Sequence, residues 1–271
     1  MNKLQVPHYS LSEKLTQEQL DFFHKHGLIV FRNFISPEKV ALYIAEIQRL
    51  EQEWIQSGVE KINGIPLKFG KDEHGNKTIQ RFCFASQHSA PLHEFLSDPR
   101  LQYLLDLVRP YEGRIGEDEK DGLVVNNYIR TANSAFSQMG WHTDSPRDLF
   151  MGQRIMPMLN VGMHLDNCPF ENGGLRVLPG THKQGMLKLL FKKKYFVDHK
   201  PDPKEVGLDI YAGDLTVHDG RLWHRVQQSP YFGEKSRRRV MYVPVVTGKY
   251  MPKDKNSKTP FYHRFAQSVQ N

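Results

Sequence analysis

The sequence predicts a mainly β protein: an antiparallel sandwich, barrel or jelly roll, with helices packed on it from the N-terminal side. Three observations predict this. The first part of the chain carries two helical periodicities with capping residues at their ends. After Gly122 the texture changes to short runs rich in Val, Ile, Leu and Tyr. Clusters of Gly, Pro, Asn and Asp separate those runs, as turns separate short strands.

The elements follow in order. Thr16 and Gln19 make the Thr-x-x-Gln of a capping box, which opens a helix over TQEQLDFFHKH, and Gly27 closes it. LIVFRNF (28–34) reads as a strand. Ser36 then caps, Pro37 takes the first helical position, and a helix runs to about Ser57, ahead of Gly58. Along it Val40, Tyr43, Ile44, Ile47, Leu50 and Trp54 recur every three or four residues, so one face is expected to pack on a core. A looser region follows, with a helical piece near 91–109. The β runs are LVVNNYIR (123–130), MLNVGMHL (158–165), GLRVLPG (174–180), DLTVHDG (214–220), RLWHRVQ (221–227) and RRVMYVPVV (238–246). The Lys- and Pro-rich stretch 182–207 reads as an insertion between strands. No repeat or linker divides the chain. Residues 1–271 therefore read as one domain, with a helical N-terminal part over about 1–120 and a β core over about 121–250.

Composition narrows the function classes. Hydrophobic residues at 39% and charged residues at 25% are ordinary for a globular protein and argue against disorder. No apolar run reaches membrane-spanning length, and the N-terminus lacks the apolar stretch of a secretory signal. No membrane partner is expected. Two cysteines, Cys83 and Cys168, make no disulfide framework and fit free thiols in a reducing, cytoplasmic setting. The net charge of +7 is spread along the chain, with dense runs at 191–196, 236–240 and 253–258. These read as solvated faces, so nucleic acid is not an expected partner. Oligomeric state is not legible.

Chemistry enters with GWHTDSPRD (140–148). Side chains two apart in an extended segment point the same way, so His142 and Asp144 can reach one ion together. Taken alone, such a pair is more often solvated or satisfied in a core. A third ligand could come from VHDGRLWHRV, which offers His218 and His224. Two histidines and one carboxylate on one face of Fe(II) leave positions open for a bidentate 2-oxo acid and O2. The arginines 237–239 that follow offer a planar fork for a carboxylate.

The segments WHTD, LDNCPFENGGLRVLPGTHKQG, AGDLTVHDGRLWHRV and SRRRVMYV resemble the phytanoyl-CoA dioxygenase family of Fe(II)/2-oxoglutarate-dependent oxygenases. The resemblance covers roughly 120–246 and extends to LTQEQLDFFHKHGLIVFRNFIS near the N-terminus, ENGGLRVLPGTH being its most specific part. It implies a double-stranded β-helix, a jelly-roll or cupin-like core with helices packed on one sheet. It implies iron ligands at His142, Asp144 and His224, with His218 left as a turn histidine. It places the 2-oxoglutarate carboxylate on Arg238, since Arg237 and Arg239 point the other way on a strand. Asn160 matches a polar position near that co-substrate, and Asn127 and Gln138 are further candidates. The family often has a small hydroxyl two residues after its distal histidine; here Val226 stands there. Related halogenases replace the carboxylate ligand, so Asp144 points away from halide transfer.

The implied reaction is hydroxylation of an unactivated C–H bond of a small molecule, with O2 consumed and succinate and CO2 released. Desaturation or cyclisation on the same site is the alternative within the family. A non-catalytic β-helix binding protein, a nucleic-acid demethylase and a zinc hydrolase are the readings outside it. Substrate-facing residues are sought in 68–82 and 182–207, with Arg81, Arg147 and Lys192 to Lys194 as cations that could meet an anionic group. No substrate residue is assigned.

Overall fold

A computed structural model describes residues 2–132, 139–150 and 154–261. The two expected helices form where their caps place them. Gln17–His26 has the full capping box, and Gly27 closes it in the left-handed region at φ 78°. Pro37–Gln56 follows the Ser36 cap and buries Val40, Tyr43, Ile47, Leu50 and Trp54.

Two sheets face each other. The larger runs in the order 28–31, 215–219, 158–164, 233–246, 124–130, 77–82, 68–71, with 114–115 also paired to 233–246. The smaller has the order 2–3, 206–207, 174–177, 224–227, 139–142. All pairs are antiparallel except that of 2–3 with 206–207. This is the jelly-roll, cupin-like arrangement expected.

Strand alternation sorts the large sheet into two faces. Ile29, Phe31, Val125, Leu159, Val161, Val217, Met241 and Val243 turn toward the helices and form the main core with Phe23, Ile47 and Leu50. Leu28 and Val30 turn the other way, against Val177, Leu208, Ile210 and Leu222 between the sheets. On that inner face, Asn160 stands in register with His218, and Gly162 with Thr216 and Tyr242. A Cβ on Gly162 would come within 3.0 Å of the Tyr242 ring, so glycine there makes room for the phenol.

Two expectations need correction. The stretch 68–82, within the region read as looser, is a hairpin of Lys68–Lys71 and Lys77–Phe82 at the edge of the large sheet. Together with Leu28–Phe31 it carries β structure into the part expected to be helical. The run 221–227 becomes strand only at His224. Cys83 and Cys168 are buried and free, as expected. No described helix is long and apolar enough to cross a membrane.

Candidate metal and co-substrate site

His142 closes the strand Met139–His142 and His224 opens His224–Gln227. The two are register partners, with ring centroids 4.1 Å apart. Asp144 lies just past the strand, where its backbone N–H donates to Gly220 O at 2.8 Å. That bond ties it to the turn leading into His224. Ligating atoms of His142, Asp144 and His224 all lie within 4.8 Å of one another, the one such group found among the described residues. His224 Nε2 is 3.5 Å and His142 Nε2 4.0 Å from the Asp144 carboxylate.

Backbone carbonyls fix which nitrogen each ring presents. His142 Nδ1 lies 2.8 Å from Gly140 O, and His224 Nδ1 lies 3.0 Å from Leu222 O. A carbonyl only accepts, so each Nδ1 carries the hydrogen and each Nε2 keeps its lone pair toward Asp144. Burial pushes both imidazoles below the usual histidine range, His224 to about 3. They are neutral at physiological pH, the form that binds a metal. Burial pushes the Asp144 carboxyl up, but the polar groups facing it, a donating amide among them, outweigh burial and hold it below the usual carboxylate range. Two free imidazole nitrogens converging on one ionised carboxylate fit a divalent metal such as iron.

Asn160 lies within this site. Its Nδ2 donates to Asp144 Oδ2 at 2.5 Å and stands 3.3 Å from His218 Nε2. The amide thus orients the carboxylate, a role the sequence had not suggested. Such outer partners are worth about tenfold to a hundredfold in metal affinity. Asn160→Leu is therefore expected to weaken Fe(II) binding by that factor while leaving the circular-dichroism spectrum unchanged; a metal titration checks it.

His218 is not a turn residue. It sits on Leu215–Asp219, buried on the inner face, with Nε2 3.9 Å from Asp144 Oδ2. Its Nδ1 has no hydrogen-bond partner. Its ring lies 4.7 Å from that of His224, yet the metal-fitting group does not include it.

The three arginines separate as strand alternation requires. Arg238 is buried on the inner face, where Nη1 donates to Gln227 O at 2.9 Å. Arg237 turns outward to Glu234 and Asn127, and Arg239 to Asp166 at 2.6 Å. Asn127 is a correction. It stands with Val125 and Ile129 on the helix-facing side, accepting from Arg237 at 3.0 Å, away from the site. Its neighbour Asn126 faces inward and has a buried Oδ1 without a partner. Gln138 lies outside the described residues, as does the side chain of Arg147. Arg81 faces inward and pairs with Asp121 at 2.6 Å.

Sequence reasoning missed several neighbours. Tyr128 and Tyr242 lie on the inner face within electrostatic range of Arg238, and burial raises both phenols. Phe196 stacks on the His142 ring, centroids 4.9 Å apart and planes at 26°. Its segment extends the small sheet through Phe196 N–H to Trp141 O at 2.9 Å and Trp141 N–H to Asp198 O at 2.8 Å. Tyr195 adds a 2.7 Å bond to Thr143.

A profile of the phytanoyl-CoA dioxygenase (PhyH) family matches residues 23–229, well over half of the chain. The chain belongs to the phytanoyl-CoA dioxygenase family. This is a family of iron- and 2-oxoglutarate-dependent oxygenases. The family match contains His142, Asp144, Asn160 and His224 and stops short of Arg238. Among named relatives, ectoine dioxygenase of Bordetella bronchiseptica is 23% identical over 226 residues, covering 78% of this chain and 66% of that protein. A phytanoyl-CoA dioxygenase domain-containing protein 1 homolog of Dictyostelium discoideum is 24% identical over 255 residues, covering 78% of this chain and 85% of that one. Solved structures of this family member's fold include the carbocyclase SnoK from nogalamycin biosynthesis, at TM-score 0.64 and 18% identity over 92% of both chains. HygX from Streptomyces hygroscopicus, solved with nickel and 2-oxoglutarate, has TM-score 0.61 and 17% identity, covering 88% of this chain and 89% of its own.

Proposed function

We propose that this protein is an Fe(II)- and 2-oxoglutarate-dependent oxygenase that hydroxylates an unactivated C–H bond of a small molecule. The observation that carries the reading is the pair of Nδ1–carbonyl bonds that turns two neutral Nε2 atoms onto the Asp144 carboxylate. In this reading His142, Asp144 and His224 hold the iron, and Arg238 receives the far carboxylate of 2-oxoglutarate. When bound, that pair supplies the oxidising chemistry, O2 being reduced as 2-oxoglutarate is converted to succinate and CO2.

The protein's own part is placement. Gly140 and Leu222 hold the two imidazoles in one tautomer. Asn160 keeps the carboxylate turned inward. Arg238, held by Gln227 O and beside the Cys168 thiol, places its guanidinium in a buried setting, where a charged hydrogen bond is strong. Phe196 covers His142 and excludes water from that ring. No side chain needs to act as a general base.

The same fold serves proteins described as an epimerase (SnoN) and a carbocyclase (SnoK), so hydrogen abstraction with another outcome is the second reading. HygX has also been solved with hygromycin B, and the Bordetella relative is named for ectoine, so the substrate proposed here is likewise a small molecule. The test is succinate release from 2-oxoglutarate without added substrate. Slow release that requires both Fe(II) and O2, and that Zn(II) does not support, is the expected result. Zn(II)-supported activity without O2 would sink the oxygenase reading. Mass spectrometry of a converted substrate separates hydroxylation, a gain of one oxygen, from epimerisation or ring closure.

A further inference from the structure

Residues 183–204 are inserted beside the site, between the strands Gly174–Val177 and Val206–Gly207. They carry seven lysines (183, 188, 192, 193, 194, 200 and 204) against two aspartates (198 and 202), a net of +5 out of +7 for the whole chain. The segment is one of the chain's dense positive stretches. Asp202 neutralises Lys193 at 2.6 Å, and the Asp198 carboxylate accepts the Lys200 backbone N–H at 3.1 Å. Lys183, Lys188, Lys192, Lys194, Lys200 and Lys204 are exposed.

The same segment exposes large apolar side chains. Leu187 and Phe191 are each 76% exposed, and Met186, Phe196 and Val197 are also open to solvent. These are five of the twelve large hydrophobic residues exposed among the described ones. Their display is held in place. The helix Met186–Phe191 is anchored by buried Leu189 and by Trp223 Nε1 donating to Lys188 O at 3.3 Å. Leu187 and Phe191, four residues apart, share its outward face.

We propose that this segment docks on the surface of a bilayer containing anionic lipids, so that the site takes its substrate at a membrane interface. Apolar side chains interleaved with lysines in one short segment match such an interface on both counts: the apolar groups enter the headgroup boundary and the lysines meet the anionic lipids. A small anion is the weaker occupant. The groove of about 910 Å³ lined by Leu190 to Tyr195 and Val197 to Lys200 could hold one, but Met186 and Leu187 stand outside that lining and would stay in water. A nucleic acid would use the lysines and leave Leu187 and Phe191 uncovered. The location has a use only under the proposed catalytic reading, since Phe196 of this segment stacks on His142. The inference reverses the sequence-based expectation of no membrane partner, which concerned spanning segments.

The test is flotation of the full chain with vesicles of phosphatidylcholine alone or with about one-third phosphatidylglycerol, which needs no turnover and so separates this inference from the catalytic one. Binding only to the anionic vesicles, weakened by raised salt, is expected. Lys192→Glu with Lys194→Glu should lower it by about tenfold or more, and Leu187→Asp with Phe191→Asp should abolish it. Both pairs are exposed, so an unchanged melting temperature confirms that each variant folds. No flotation with anionic vesicles at physiological salt overturns the proposal. So does flotation that the apolar pair of substitutions leaves intact, or tight binding of a soluble alkyl phosphate by protein that does not float.

Discussion

Replacing His224 with alanine is expected to remove iron binding and all succinate release, whereas His218→Ala keeps both. His224 is register partner of His142, presents Nε2 3.5 Å from Asp144, and has its other nitrogen committed to Leu222 O. Its loss leaves one imidazole and one carboxylate. A first-row ion held by two ligands instead of three loses at least about 100-fold in affinity, beyond what an outer partner is worth. His142→Ala should behave as His224→Ala does. His218 is as deeply buried but lies outside the metal-fitting group and bonds Asn160 instead, so its removal should cost iron affinity no more than about tenfold. Anaerobic Fe(II) titration followed by bound-metal analysis distinguishes the two histidines. Equal loss in His218→Ala and His224→Ala would show that the ligand set is wrongly drawn.

Arg238→Ala is expected to weaken 2-oxoglutarate binding by roughly 100-fold or more with iron affinity unchanged, since two charge-assisted bonds are worth about 3 kcal/mol or more. The reason is geometric. Among the three consecutive arginines only Arg238 faces between the sheets, while Arg237 and Arg239 are tied to Glu234 and Asp166 on the opposite side. Arg237→Ala and Arg239→Ala should change 2-oxoglutarate affinity less than about threefold, the scale of an exposed ion pair. Arg238→Lys restores charge but not the planar fork and should recover only part of the loss. A titration of 2-oxoglutarate at saturating Fe(II) reads all four variants.

Much of this was legible where local chemistry is decisive. The capping box at Thr16, the Ser36–Pro37 start and the periodic apolar face from Val40 to Trp54 each state a helix without tertiary help. The β runs after Gly122 were legible because their inward and outward residues differ in polarity. The hairpin 68–82 was not, because its strands are rich in Lys, Gly, Gln and Arg and present no apolar alternation. The pair Asn126–Asn127 shows the same limit at the scale of one residue. Two asparagines in succession hide the phase of the strand, and a slip of one carries a side chain to the other face. The flanking Val125 and Ile129, which share the helix-facing side with Asn127, held the signal that decides it. Asn160 was found as a polar position, but its bond to Asp144 depends on register between strands distant in sequence. Phe196 could not be found at all, because it reaches His142 from an insertion whose path no local pattern fixes.

The most direct test of the site is to add Fe(II) and then 2-oxoglutarate to the metal-free protein under anaerobic conditions and record the visible spectrum. The account predicts a charge-transfer band that appears only when both are present and saturates at one equivalent of each. Folded protein that binds Fe(II) but develops no band with 2-oxoglutarate would contradict it.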